Sequence, residues 1–123
     1  MTERICLALD LVDDEAMIAE YERWHRVGNT PAAVIQSIRD AGIRNMEIFR
    51  AGERLFMVME VDDSYDAAAK ARADADNSAV VDWVKRMAPF QRPVPAAGPD
   101  GTWIEMKRVF RLTDHPEMEG APE

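Results

Sequence analysis

The chain has 123 residues, of which 47% are hydrophobic and 31% charged, so it is long enough for one globular domain and is not a disordered protein. Its formal net charge of -8 argues against nucleic-acid binding, which needs clustered Lys and Arg. No apolar run approaches the roughly 20 residues that cross a bilayer. With a single cysteine and no recognisable signal peptide, the sequence predicts a cytoplasmic protein without a membrane partner.

The N-terminal third predicts one strand and one helix. A short apolar run at residues 5–9 is typical of a strand. The acidic stretch at residues 13–15 supplies an aspartate N-cap and early negative charge, both favourable where a helix begins. The helix that follows places a set of apolar and aromatic side chains on one side, and Gly28 and Asn29 are predicted to end it. This set is Met17, Ile18, Tyr21, Trp24 and His25.

The middle of the chain predicts a second helix and a β-hairpin. Thr30 is the expected N-cap of this helix, Pro31 its first residue, and Gly42 its C-terminal cap. Strands at residues 44–50 and 54–61 then flank a tight turn. The second strand is apolar on both faces, so both sides of the sheet need to be covered.

The C-terminal half predicts two more helices, at residues 65–75 and 79–87, and a last strand at residues 103–112. A proline-rich loop at residues 89–101 separates them, and residues 113–123 are expected to form a flexible tail. The order β-α-α-β-β-α-α-β predicts an α+β fold, a ferredoxin-like antiparallel sheet with helices on one face, in a single domain over residues 1–112. The uncovered face of such a sheet would be buried economically in a homodimer.

Tyr21 and His25 are the first candidates for chemistry, because four residues separate them on one helical face. Imidazole is the side chain that ordinarily titrates near neutral pH. The structural alternative is a helix-terminal histidine that bonds the last carbonyls of its helix, beside a tyrosine at the edge of the core. Trp83 and Trp103 are either core residues or surfaces on which the apolar face of a sugar packs.

Other chemistry finds little support in the sequence. The two histidines and one cysteine form no metal-binding pattern, and no phosphate-binding or dinucleotide-binding loop is present. Cys6 lies between apolar neighbours and is interpreted as a buried structural residue. The functions that remain are proton transfer in a pocket and ligand binding without catalysis.

Residues 4–112 resemble the L-rhamnose mutarotase family, which includes bacterial L-fucose mutarotases. The matching segments are residues 20–25 (EYERWH), 38–45, 48–49, 55–56 with Glu60, 82–85, and 103–106 with residues 109–110. The resemblance implies a dimeric α+β barrel that interconverts the α and β anomers of a 6-deoxy sugar without a cofactor. It implies that His25 donates a proton and that Tyr21 binds the sugar.

The resemblance also marks two departures inside the expected sugar site. Met46 stands where family members have a second tyrosine, and Val84 follows Trp83 where they have a tryptophan pair. With Trp83 and Trp103, these positions are the expected substrate-binding residues. The departures remove a hydroxyl and an aromatic wall, which leaves the sugar open between L-rhamnose, L-fucose and other deoxy sugars. Trp24 or Trp103 could supply the missing stacking surface.

Two further functions stay open on the sequence. The same dimeric barrel could bind a small ligand without catalysis, or act as a cofactor-free monooxygenase. A binding module would hold a sugar without speeding anomer exchange, and a monooxygenase would consume oxygen.

Overall fold

The computed structural model describes residues 2–98 and 101–117. The strands are β1 (Glu3–Leu11), β2 (Ile43–Ala51), β3 (Arg54–Val61), β4 (Gln91–Arg92) and β5 (Ile104–Glu105). The helices are α1 (Glu15–Trp24), α2 (Ala32–Asp40), α3 (Ala67–Ala75) and α4 (Ser78–Met87). None of the helices in these ranges is long and apolar enough to cross a membrane.

The strands form one sheet in the order β2-β3-β1-β4, and β5 also pairs with β1. Every pairing among the described strands is antiparallel. Two helices follow β1, and two more follow the β2–β3 hairpin. Together with the strand order, this arrangement confirms the predicted α+β, ferredoxin-like class. The sheet curls into a half-barrel, and the helices pack on one of its faces.

Register decides which side chains face the helices. Leu7, Met57 and Ile48 lie side by side on β1, β3 and β2, and this face packs against the helices. The next residues along the strands, Ala8, Phe56 and Phe49, share the opposite, open face. The open face therefore carries two neighbouring phenylalanines that are 53% (Phe49) and 37% (Phe56) exposed.

Helix α1 begins as the sequence predicts and ends earlier. The side chain of Asp14 accepts a hydrogen bond from the backbone N–H of Met17 across 3.0 Å, so it is the N-cap. The helix ends at Trp24, not at residues 28–29. The side chains of Asn29 and Thr30 instead fold back and donate to the carbonyls of Arg23 and Trp24.

This use of Thr30 corrects its predicted role. Its hydroxyl satisfies a carbonyl at the end of α1, and Pro31 occupies the N-cap position of α2 without a side-chain hydrogen bond. Gly42, one residue after the C-cap of α2, has a φ of +89°, as a helix-terminal glycine should.

The predicted last strand is wrong in length. Only Ile104–Glu105 pairs with β1, although the Met106 N–H still bonds the Cys6 carbonyl. β4, which lies inside the predicted proline-rich loop, pairs with Asp10 and Leu11 at the other end of β1. Residues 106–111 have no regular structure, and Val109 is 89% exposed, so burial does not hold this segment in the sheet. Part of the predicted tail, residues 118–123, lies outside the described residues.

Candidate active site

A cavity of about 540 Å³ lies between the helix-covered face of the sheet and the helices. The sequence-predicted site residues all line it: Tyr21, His25, Met46, Trp83, Val84 and Trp103. Its apolar walls come from the sheet and from helices α2 and α4. A larger hollow of about 720 Å³ on the rim of the sheet contains neither His25 nor Tyr21. The smaller cavity is therefore the candidate active site.

Helix α1 delivers the two central side chains together. Tyr21 and His25 stand four residues apart, and their ring centroids are 4.3 Å apart. Trp83 of α4 approaches the imidazole edge-on at 5.4 Å between centroids. The imidazole therefore sits between a phenol and an indole, on the last turn of its helix.

The backbone fixes the tautomer of His25. Its Nδ1 lies 2.7 Å from the Tyr21 carbonyl oxygen, which can only accept a hydrogen bond. Nδ1 therefore carries a hydrogen, and Nε2 is left with the lone pair when the ring is neutral. This is the bond expected of a helix-terminal histidine, and it leaves Nε2 available for acid–base chemistry.

The surroundings of His25 favour its neutral form. Desolvation by the protein lowers the pKa of the imidazole from its ordinary value of 6.5, and the hydrogen bond to the Tyr21 carbonyl partly opposes this. The side chain is still accessible through the open cavity. His25 is therefore neutral at pH 7 and in contact with whatever enters the cavity.

Tyr21 is held much more tightly. Its side chain is 4% exposed and belongs to the core cluster with Leu9 and Met87. Burial raises the pKa of the phenol to about 12, and a hydrogen bond with the Gln91 side chain partly opposes this. The hydroxyl is therefore protonated throughout the physiological range and acts as a hydrogen-bonding group.

Aromatic and apolar residues complete the walls. Trp103, just before β5, lines the cavity, whereas Trp24 lies outside its lining and packs edge-on against Trp83 at 6.2 Å. Of the two alternatives for a stacking surface, the structure thus offers Trp103. Met46 of β2 contributes a thioether to the cavity wall. Val84 of α4 also lines the cavity and is 58% exposed.

Sequence reasoning missed several polar lining residues. Lys70 and Asp74 of α3 form an ion pair at the cavity wall, with Nζ and Oδ2 2.5 Å apart. Their spacing of four residues was a visible signal, but an alanine-rich helix gives no pattern that shows which side faces inward. Gln91 lies within the stretch predicted as loop, where no periodicity marks orientation. Within the described part of the chain, no group of His, Cys, Asp or Glu side chains is arranged to hold a metal ion.

Comparisons with known proteins identify the family. The model of a family described as L-rhamnose mutarotase matches residues 4–112. An L-fucose mutarotase from Xanthomonas campestris pathovar campestris is 45% identical over 112 residues, covering 91% of this chain and 90% of that protein. A UPF0734 protein from Dictyostelium discoideum is 33% identical over 112 residues, covering 89% of this chain and 73% of that protein.

Solved structures with a similar fold include two that align over most of their length. An L-rhamnose mutarotase from Formosa agariphila aligns with a TM-score of 0.61 at 22% identity, covering 89% of this chain and 98% of that chain. A type II polyketide cyclase from Streptomyces glaucescens aligns with a TM-score of 0.54 at 16% identity, with the same coverage. At these identities the likeness concerns the fold alone. On the family match and the 45% identical relative, the chain belongs to the L-rhamnose mutarotase family of isomerases.

Proposed function

We propose that this mutarotase interconverts the α and β anomers of a 6-deoxy sugar in the cavity beside Tyr21 and His25, with L-fucose as the preferred substrate. The observation that carries the proposal is the neutral imidazole of His25, held by its Nδ1 hydrogen bond with Nε2 left free at an aromatic cavity. The choice of sugar rests on the relative at 45% identity, whose name specifies L-fucose.

The reaction needs only a proton carrier. Ring opening removes the proton of the anomeric hydroxyl, breaks the bond between C1 and the ring oxygen, and adds a proton to that oxygen. Both oxygens are attached to C1, so one imidazole can collect the proton from the first and deliver it to the second. The open aldehyde rotates about the C1–C2 bond and closes by the reverse steps. Atoms and electrons balance without an oxidant, a reductant or a cofactor.

The cavity walls suit a deoxy sugar. Trp83 and Trp103 offer aromatic surfaces to the C–H face of the ring. Met46, Ile48 and Met57 form an apolar wall from the sheet, which is favourable for the methyl group at C6. The Tyr21 hydroxyl, protonated at all relevant pH values, can hydrogen-bond the sugar near the reacting carbon.

Saturation transfer between the anomeric protons of L-fucose, and then of L-rhamnose, tests the proposal. The wild-type protein should accelerate exchange, and His25→Ala should lower the catalysed rate by at least about 100-fold, the low end for a general acid–base group. His115→Ala is the matched control, since His115 stacks on Phe110 at 4.8 Å and is not in the cavity lining. Undiminished exchange in a folded His25→Ala protein would remove His25 from the mechanism. Binding without faster exchange would instead favour the binding module.

We also propose that the chain forms a homodimer through the open face of its sheet. Phe49 and Phe56 are register neighbours on this face and remain partly exposed. Val58 lies further along β3 on the same side, opposite the exposed Glu47 of β2, and the end of this face carries the ion pair between Asp10 and Arg54. An aromatic pair surrounded by charged groups resembles the apolar core and polar rim of a protein interface.

A further inference from the structure

Helix α3 directs charged side chains inward and alanines outward, which is the reverse of an ordinary surface helix. All six of its alanines and Arg72 are exposed, and Lys70 and Asp74 are the two residues that are not. A surface helix normally turns its apolar side inward. Here the charged pair faces inward, where ion pairs lose hydration and rarely improve stability. A structural role alone gives no reason for this orientation.

The pair lies where a ligand would meet it. The side chains of Lys70 and Asp74 are 19% and 27% exposed, and both line the 540 Å³ cavity. Both also line a neighbouring hollow of about 300 Å³, so with Ser37 they form part of the wall between the two spaces. They therefore place opposite charges on one wall of an otherwise largely apolar site.

Two other polar side chains of the cavity, Thr30 and Ser37, already use their hydroxyl hydrogens. The hydroxyl of Thr30 donates to the Trp24 carbonyl, and that of Ser37 donates to the Val34 carbonyl. By contrast, an ammonium group has three N–H donors and a carboxylate has about four acceptor positions, of which the ion pair uses few. Lys70 and Asp74 thus retain donors and acceptors for a ligand.

A sugar bound with C1 at His25 needs partners for its remaining hydroxyls. L-Fucose and L-rhamnose carry the same groups and differ only in configuration at C2 and C4. Selection between them therefore has to come from groups that contact those hydroxyls, and a site that hydrogen-bonds a hydroxyl discriminates more strongly than an apolar wall.

We propose that Lys70 and Asp74 bind ring hydroxyls of the sugar and determine the selectivity between 6-deoxy sugars that differ at C2 and C4. This inference rests on the proposed mutarotase function and deepens it. The pair does not carry the transferred proton. Its removal should therefore weaken binding and leave the chemical step largely intact.

Exchange rates measured against sugar concentration test the pair. Lys70→Met should raise KM for the preferred sugar roughly tenfold or more, as expected for a lost hydrogen bond to a charged group, with kcat changed by less than about threefold. The ratio of kcat/KM between L-fucose and L-rhamnose should move towards one. Arg72→Met, which removes an exposed cation from the same helix, should leave both constants and the ratio unchanged. Unchanged KM and ratio in Lys70→Met would overturn the inference.

The double variant Lys70→Met/Asp74→Leu separates recognition from an orphaned charge. If each charge serves only to neutralise the other, the double variant should recover the wild-type KM, and the inference fails. If the pair recognises the sugar, KM stays high and the selectivity stays low.

Equilibrium binding distinguishes this inference from the proposed function. If the wild-type protein catalyses exchange and Lys70→Met matches it, only the inference fails. If the wild-type protein binds L-fucose without catalysing exchange, the proposed function fails, and roughly tenfold weaker binding by Lys70→Met still supports the inference. A wild-type protein that binds neither L-fucose nor L-rhamnose would overturn both.

Discussion

The Nδ1 atom of His25 donates to the carbonyl oxygen of Tyr21 across 2.7 Å, so the main chain of α1 orients the imidazole. In many sites a carboxylate side chain performs this task. A carbonyl carries no net charge and does not titrate. The orientation of His25 therefore persists when the side chain at position 21 is changed, which makes the roles of the two residues separable by mutation.

Activity should fall on the acidic side with an apparent pKa below 6.5. Desolvation lowers the pKa of His25, and only the neutral ring can accept the first proton. Below that pKa, kcat/KM should drop about tenfold per pH unit. A pH profile of kcat/KM tests this, with His115→Ala retaining the acidic limb. A limb centred above 6.5 would contradict the assignment.

The same shift affects stability. The unfolded chain binds a proton at the ordinary pKa of 6.5, whereas the folded chain binds it only at lower pH. Between these two values the unfolded state holds more protons, so the contribution of His25 to the free energy of unfolding is lost as the pH falls through this window. Urea titrations give the free energy of unfolding at each pH. Its pH dependence should differ between the wild type and His25→Ala below about pH 7 and should be the same above it.

Tyr21→Phe should weaken sugar binding and leave the fold in place. The ring stays in the core, while the hydroxyl that bonds Gln91 is lost, at about 1 kcal/mol of unfolding free energy. We expect KM to rise roughly tenfold, since one hydrogen bond to the sugar disappears. Kinetics of anomer exchange, with urea unfolding alongside, measure both effects. A fall in kcat at constant KM would instead give Tyr21 a part in proton transfer.

Met46→Tyr should shift selectivity towards L-rhamnose. Met46 lines the cavity of about 540 Å³ from β2, at the position where the family resemblance implies a second tyrosine. The new hydroxyl would supply a hydrogen bond that the wild-type wall lacks. The ratio of kcat/KM for the two sugars is the readout, and Met46→Phe supplies the ring without the hydroxyl. Equal ratios in the two variants would show that the hydroxyl is not the determinant.

Phe49→Lys should dissociate the proposed dimer. A lysine at the centre of an apolar interface must be desolvated, and losing a central aromatic residue commonly costs 2 kcal/mol or more, about 30-fold in Kd. Light scattering coupled to size-exclusion chromatography gives the mass. Val27→Lys is the matched control, because Val27 is fully exposed outside the sheet. A wild-type protein that remains monomeric at high micromolar concentration would rule out the dimer.

The parts of the fold that depend on local chemistry were predictable. Asp14 caps α1, and residues 52–53 turn the hairpin between β2 and β3, because the determinants lie within a few residues of each element. The predicted role of Thr30 was wrong, because its hydroxyl bonds the Trp24 carbonyl six residues earlier and not its own helix. β5 stops at Glu105 although β1 continues back to Glu3, because residues 106–111 leave the sheet and stay largely exposed, which is a property of the assembled fold.

The candidate site also contains residues that local sequence predicts and residues that it does not. Tyr21 and His25 share one helical face, so their spacing alone placed them together. Met46 and Val84 were found through the family resemblance, because they come from distant segments, whereas Trp103 was already a candidate as an aromatic surface. Lys70 and Asp74 escaped both approaches, since helix α3 has too little apolar contrast for its sequence to show which side faces the sheet.

Tyr21 and Met87 each belong both to the buried core cluster and to the wall of the cavity. The candidate active site is thus part of the scaffold and cannot unfold on its own while the rest of the fold survives. On heating, anomer exchange should disappear in step with the cooperative loss of tertiary structure, not several degrees before it. Substitutions of these side chains therefore affect both the rate of anomer exchange and the thermal stability of the protein.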